Sequence, residues 1–136
     1  MTKVIAEGIT NWPTEPTQLV GSRCGSCGAT TFPAQQYCPK CSKPGLSEVL
    51  LPRTGTLVAW TTQNFYPGEG YAAPPDQFTP FNVGLVQLDD VIRVEGRLTI
   101  TDHTQIRSGM KVVLTMVPIA KDAGGEDIVT FAFAPA

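Results

Sequence analysis

Four cysteines carry the reactive chemistry of this chain, and all four fall in one stretch. They form Cys24-Gly-Ser-Cys27 and Cys38-Pro-Lys-Cys41, two CxxC pairs separated by ten residues. Two residues between cysteines let both sulfurs of a pair point at one centre, and Gly25 and Gly28 are expected to free the first turn to fold that tightly. Two such knuckles face to face offer the tetrahedral thiolate cage that Zn2+ favours, and no cysteine is left over. A closed set of four leaves no position open for water or substrate, so the expected metal is one structural zinc. Iron suits the same four sulfurs. A redox CxxC of the thioredoxin kind would open a helix in a βαβ setting, whereas Phe32-Pro33 and Cys38-Pro39 read as loops and short strands. A disulfide framework belongs to an oxidising compartment. The opening residues do not read as a secretory leader, so reduced thiols and a cytoplasmic location are expected.

Little else in the chain is equipped for catalysis. The one histidine, His103, sits in Thr101-Asp-His-Thr, which reads as a turn; a general acid–base group needs a pocket and a positioned neighbour. Asp89-Asp90 resembles a carboxylate pair, but a hairpin turn accounts for it. No catalytic residue is expected. Arg23, Lys40, Lys43 and Arg53 make the cysteine region basic, with Glu48 the one acidic residue between Leu19 and Arg53. These cations either offset the anionic metal centre or attract a phosphate-bearing ligand.

With 136 residues, of which 42% are hydrophobic, the chain can bury a core as one domain or as a domain with a metal-stapled appendage. The formal charge is −2 with the cysteines neutral. Four thiolates around one divalent ion add a further −2, bringing the loaded chain to about −4. That balance argues against non-specific nucleic-acid binding, which needs a basic field. No apolar run approaches the ~20 residues of a membrane span. Twelve prolines and 13 glycines favour short strands and turns over long helices.

The elements that must position the cysteines follow from this punctuation. Residues 1–18 hold Pro13 and Pro16, which preclude a regular helix there, and read as an extended arm with Trp12 either pinned on the body or at an interface. Residues 19–46 read as a metal ribbon: a strand over Leu19–Arg23, a return over Thr30–Phe32, and Phe32 and Tyr37 bracketing the metal, either as its small apolar shell or, the preferred reading, simply packing the ribbon. Residues 47–136 read as β throughout. Glu48–Leu51 is a first short strand, and Thr56–Gln63 is rich in β-branched and aromatic residues. Asn82–Leu88 and Val91–Ile100 flank the Asp89-Asp90 turn as a hairpin. Lys111–Pro118 and Ile128–Ala134 complete the set, with a short turn over Asp102–Ser108 and a polar turn over Ala120–Asp127. About five strands with Gly-rich connections close most naturally as an OB-fold barrel. Between the second and third of the candidate strands lies a long stretch, Asn64–Phe81, with Phe65, Tyr66, Tyr71, Phe78 and Phe81. It is either a docking surface or a loop folded back over the barrel.

In this order and length, a zinc ribbon followed by such strands resembles the DUF35 family of rubredoxin-like zinc ribbon plus OB-fold proteins. The resemblance runs from Gly21 to the C terminus. It is carried by Gly21-Ser-Arg-Cys-Gly-Ser-Cys-Gly, Phe32-Pro33, Tyr37-Cys-Pro-Lys-Cys, Gly55-Thr-Leu, Val83-Gly-Leu-Val-Gln-Leu-Asp, Arg93-Val-Glu-Gly-Arg and Gly109-Met-Lys-Val. Family members often carry helices ahead of the ribbon; this chain has a short Pro-containing arm instead. The resemblance implies a mainly β fold and a non-catalytic, hetero-oligomeric partner of a thiolase-superfamily enzyme. That enzyme, a thiolase, aldolase or acyltransferase, supplies the catalytic cysteine and histidine. The substrates implied are acyl-CoAs, such as benzoylsuccinyl-CoA or a steroid side-chain acyl-CoA, held at the shared interface. Lys40, Lys43, Arg53, Tyr71 and Phe78 are the residues expected to meet the partner or CoA. The alternatives are a single-stranded nucleic-acid binder, against which the acidic balance counts, and a free-standing acyl-CoA carrier. No membrane contact is expected.

Overall fold

A computed structural model describes residues 2–4, 8–68 and 73–136. In chain order the strands are β1 (Thr2–Val4), β2 (Val20–Arg23), β3 (Thr30–Thr31), β4 (Ser47–Leu50), β5 (Thr54–Gln63), β6 (Phe81–Leu88), β7 (Ile92–Leu98), β8 (Lys111–Lys121) and β9 (Asp127–Pro135). Two single 3-10 turns, Pro75–Gln77 and His103–Gln105, lie in the connections. No helix among the described residues is long and apolar enough to cross a membrane.

Strands β5 to β9 make a closed five-stranded barrel in the order β5-β6-β7-β9-β8, with β8 returning to β5. Antiparallel pairing runs throughout except between β7 and β9, which lie parallel at Arg97↔Ala132 and Leu98↔Phe133. That connectivity is the OB-fold. In β7 alternation decides which face turns inward, burying Val94, Gly96 and Leu98 and exposing Arg93 and Glu95; in β6, paired with it, Asn82, Gly84, Val86 and Leu88 are buried. Bulges between Leu57 and Ala59 and between Pro118 and Ala120 bend β5 and β8 so that the sheet can close. Pro118 lies where β8 has left β5, with a strand on only one edge. A residue without an N–H is tolerated there.

Gly84 and Gly96 face each other across β6 and β7. A Cβ on Gly96 would stand 2.8 Å from a Phe133 ring carbon and 2.9 Å from one of Phe131. Both rings therefore use the room the glycine leaves. Leu57, Val86, Leu88, Val94, Leu98, Val112, Leu114 and Phe133 fill the interior, and Leu19 and Leu51 from the cysteine-bearing part join the same cluster.

The second sheet is small and antiparallel, in the order β3-β2-β4. The sequence reading set the strand after the ribbon, Glu48–Leu51, as the first of the barrel side. The structure pairs it with β2 instead, from Val20↔Leu50 to Arg23↔Ser47. The reason is local: Pro52 and Arg53 break the chain between β4 and β5, and Leu51 donates its N–H to Leu19 O at 2.9 Å, tying β4 to the strand beside it.

The described residues of the arm are fastened at several points. β1 lies parallel to β9 on the edge that β7 has left free, from Thr2↔Asp127 to Val4↔Val129. Thr10 bridges Leu19, and Asn11 closes the intervening loop by exchanging hydrogen bonds with Gln18, 2.7 Å from the Gln18 N–H to its side-chain oxygen. Trp12 is half-buried.

Candidate metal centre

The two knuckles repeat one local geometry. In the first, Cys24 N–H donates to Ala29 O and Cys24 O accepts from Gly28 N–H, both at 2.9 Å. In the second, Cys38 N–H donates to Lys43 O at 2.9 Å and Cys38 O accepts from Ser42 N–H at 2.8 Å. The turn places the fourth residue after each leading cysteine in the left-handed region: Gly28 at φ 77° and Ser42 at φ 64°. Gly28 thus meets the need expected of it; Gly25 has no positive φ and no such need.

Between the knuckles, Cys24 Sγ lies 3.6 Å from Cys41 Sγ and Cys27 Sγ lies 3.5 Å from Cys38 Sγ. All four sulfurs fall within 4.8 Å of one another. Sulfurs bound at ~2.3 Å to a tetrahedral ion stand about 3.8 Å apart, so the cage fits one zinc. Backbone N–H groups are aimed at the sulfurs: Cys27 toward Cys24 at 3.5 Å, and Lys40 and Cys41 toward Cys38 at 3.4 and 3.5 Å. Such donors stabilise thiolates and fix their orientation.

Without metal the cage holds its protons unevenly. The N–H groups of Cys27 and Ser26 bring the Cys24 thiol down to about 6, and that of Cys41 lowers Cys38. The Lys43 N–H also favours the Cys41 thiolate, but burial and the neighbouring sulfurs push it up to about 11. Binding at neutral pH must therefore expel the Cys41 proton, and below about pH 6 protons compete for Cys24 as well. Zinc affinity is expected to rise with pH through the neutral range, by about tenfold per pH unit for each proton displaced. Competition against a chelator at several pH values, corrected for the chelator's own protonation, measures this; a flat profile contradicts the assignment.

The residues expected to frame the metal divide. Tyr37 is 63% exposed and forms no shell. Phe32 is partly buried against the core and meets Phe131 of the barrel edge to face, ring centres 5.8 Å apart. Ser22 and Thr31 are buried and joined by a short hydroxyl hydrogen bond, and Ser22 also accepts from the Gln35 N–H.

The expected contact residues are not gathered in one place. Lys40 and Lys43 are exposed on the second knuckle. Arg53 lies at the joint of arm and barrel, its Nε 2.9 Å from Thr17 O and another guanidinium nitrogen 3.1 Å from Leu114 O. Its visible role is to hold backbone together. Tyr71 lies outside the described residues. Phe78 is half-buried in a run of edge-to-face rings, 5.9 Å from Tyr66 and 6.2 Å from Phe81. The Arg97 guanidinium stacks 3.7 Å over Phe81, and Gln77 exchanges two hydrogen bonds with the backbone of Lys121. The described parts of the loop are thus folded back on the barrel, while Phe65 remains 73% exposed. His103 is exposed and stacks on Trp60 with ring centres 6.3 Å apart.

A thiolate cage in a three-stranded ribbon, joined through one core to an OB barrel, defines a zinc-ribbon OB-fold protein. Comparison with known proteins finds the same two parts in the same order. A family model described as the ChsH2 rubredoxin-like zinc ribbon domain matches residues 17–47, and one described as the ChsH2 C-terminal OB-fold domain matches residues 48–117. The chain belongs to this family, also known as DUF35. Relatives named DUF35 domain-containing scaffold protein include one from Methanothermobacter thermautotrophicus, 25% identical over 136 residues and 96% of each chain. Another, from Pyrococcus furiosus, is 27% identical over 122 residues, 89% of this chain and 85% of that one. Among solved structures, one named Ltp2-ChsH2(DUF35) aldolase superposes with a TM-score of 0.63 at 24% identity, over 87% of this chain and 84% of its own.

Proposed function

We propose that this chain is a non-catalytic subunit that docks on a thiolase-superfamily enzyme acting on acyl-CoA substrates. The observation that carries the reading is the fate of the nucleophiles. All four cysteines face one another in the cage, and His103 is exposed and stacked on Trp60, so neither serves an acid–base or acyl-transfer pair among the described residues. Relatives are named scaffold proteins, and a structural neighbour is part of an aldolase bearing two protein names; both support a role in assembly. The partner brings the reactive groups, and this chain brings surface and stiffness.

The loop after β5 is the proposed docking surface, and the second knuckle is proposed as a separate point of approach. Phe65 supplies exposed apolar area, while Tyr66, Phe78 and Phe81 hold the loop's described ends in place. Lys40 and Lys43 set the approach of an anionic partner or of CoA phosphates more than the final affinity, since exposed ion pairs are worth only about 0–1 kcal/mol. Phe65→Ala is expected to weaken binding to the cognate enzyme at unchanged melting temperature, by about tenfold, as befits an aromatic anchor. Phe78→Ala is expected to lower the melting temperature as well. Binding isotherms with the enzyme, set beside thermal melts, check both. Turnover of an acyl-CoA by the purified chain alone, abolished by His103→Ala, overturns the non-catalytic reading.

A further inference from the structure

The two knuckles match in backbone but not in cover. Cys24 and Cys38, which lead each knuckle, are 1% and 2% exposed. Their second cysteines differ: Cys41 is half-buried, whereas Cys27 is exposed. The residues around Cys27 are Gly25, Ser26 and Gly28, all exposed, and a Cβ on Gly25 would meet nothing within 4 Å. The corresponding positions of the second knuckle hold Pro39, Lys40 and Ser42, which are exposed as well but bulkier. One ligand of the four is thus open to a small molecule in solution, and its sulfur stands 3.5 Å from that of Cys38 in the other knuckle.

We propose that Cys27 is where a peroxide attacks the cage, and that it then bonds to Cys38 across the knuckles, making the ribbon a redox-sensitive element. In the first step the Cys27 sulfur forms an S–O bond with hydrogen peroxide as the O–O bond breaks. The departing hydroxide takes a proton and leaves as water. In the second step the Cys38 thiolate attacks the Cys27 sulfur, the S–S bond forms, and the second oxygen leaves as water. Two thiolates have given two electrons and one peroxide has become two waters. Only two sulfur donors remain, too few for a structural zinc.

What stays behind is fixed by the shared core. Leu19 and Leu51, at the base of the ribbon, are 0% and 1% exposed within the barrel's own cluster, and Phe32 is held against Phe131. Oxidation therefore rearranges the knuckles, and with them Lys40 and Lys43, without detaching the ribbon sheet. A cross-knuckle bond keeps the two turns together, whereas a bond within either CxxC would let them part.

The test uses the zinc-loaded full chain and hydrogen peroxide. Zinc release is followed with a colorimetric chelator, the first oxidised cysteine by a sulfenic-acid trap, and the disulfide by peptide mapping. The expected result is release of the zinc, a first adduct on Cys27, a Cys27–Cys38 linkage, and an intact barrel by circular dichroism. Zinc retained under peroxide, a first adduct on Cys24, Cys38 or Cys41, or a first linkage other than Cys27–Cys38 overturns the proposal. Cys27→His keeps a ligand set that zinc accepts while removing the exposed thiol, and is expected to slow release about tenfold or more; an unchanged rate in zinc-loaded variant overturns it too. Mapping on the native chain decides the matter by itself should that variant fail to load.

Discussion

Cys38→Ser is expected to strip the chain of stoichiometric zinc and to disorder the knuckles from Cys24 to Cys41, while the barrel stays folded. Cys38 is buried, its sulfur accepts two backbone N–H groups, and its N–H and C=O close the second knuckle. A hydroxyl there is a harder donor that resists losing its proton at neutral pH, so one corner of the tetrahedron fails. In small zinc domains the metal contributes about 10–16 kcal/mol at neutral pH, which is folding free energy for whatever the metal holds. Here that is the knuckles, for beyond Leu19, Leu51 and Phe32 the ribbon has few apolar side chains in the core. The barrel's own residues, from Leu57 to Phe133, pack on one another with no help from the metal. Affinity for zinc is expected to fall at least about a thousandfold, and amide signals of residues 24–43 should collapse while those of the barrel strands stay dispersed. Metal analysis and two-dimensional NMR read both halves of this outcome. Stoichiometric zinc in the variant, or loss of the barrel signals with the ribbon's, contradicts the division of labour drawn from the core.

The metal centre was legible in the sequence because everything it needs is local. A CxxC turn is closed by hydrogen bonds four and five residues apart, and pairing two turns requires only that a short strand lead back. The barrel strands were legible for a similar reason, since β7 alternates apolar and charged residues and β6 is a short, largely apolar run, with a tight turn between them. What the sequence did not reveal depends on contacts distant along the chain. Glu48–Leu51 could be recognised as a strand, but its partners on β2 lie 28 and 26 residues earlier, in the register Gly21↔Val49 and Ser22↔Glu48, and no side-chain pattern announces that choice. Arg53 read as one cation among four; only the fold brings Thr17 O and Leu114 O to its guanidinium. Tyr37 and Phe32 are both aromatic neighbours of the cysteines in sequence, yet one faces water and the other the barrel, because β9 happens to present Phe131 to Phe32. The same holds for the long loop. Its aromatic content was plain, but the latch of Gln77 on Lys121 and the stacking of Arg97 on Phe81 join residues 44 and 16 positions apart.

The largest stability effect in the barrel is expected where β7 and β9 run parallel. Phe133 is fully buried, and Phe133→Ala should cost about 3–5 kcal/mol, the range for deleting a core aromatic side chain. Gly96→Ala is expected to destabilise as well, by roughly 1–3 kcal/mol, because the new methyl would stand 2.8 Å from the Phe133 ring and 2.9 Å from that of Phe131. The two effects share a cause, so they should not add. Removing the Phe133 ring vacates the space the methyl needs on one side, although Phe131 still crowds the other. In the double variant the glycine substitution is therefore expected to cost less, with a coupling of about 0.5–1.5 kcal/mol between the sites. Urea unfolding of the wild type, both single variants and the double variant gives the cycle directly. A coupling of zero would mean that Gly96 is there for its backbone alone and that the ring does not depend on the space beside it. Coupling of the expected sign would establish that this glycine is a packing requirement of the parallel β7–β9 seam, where the barrel closes.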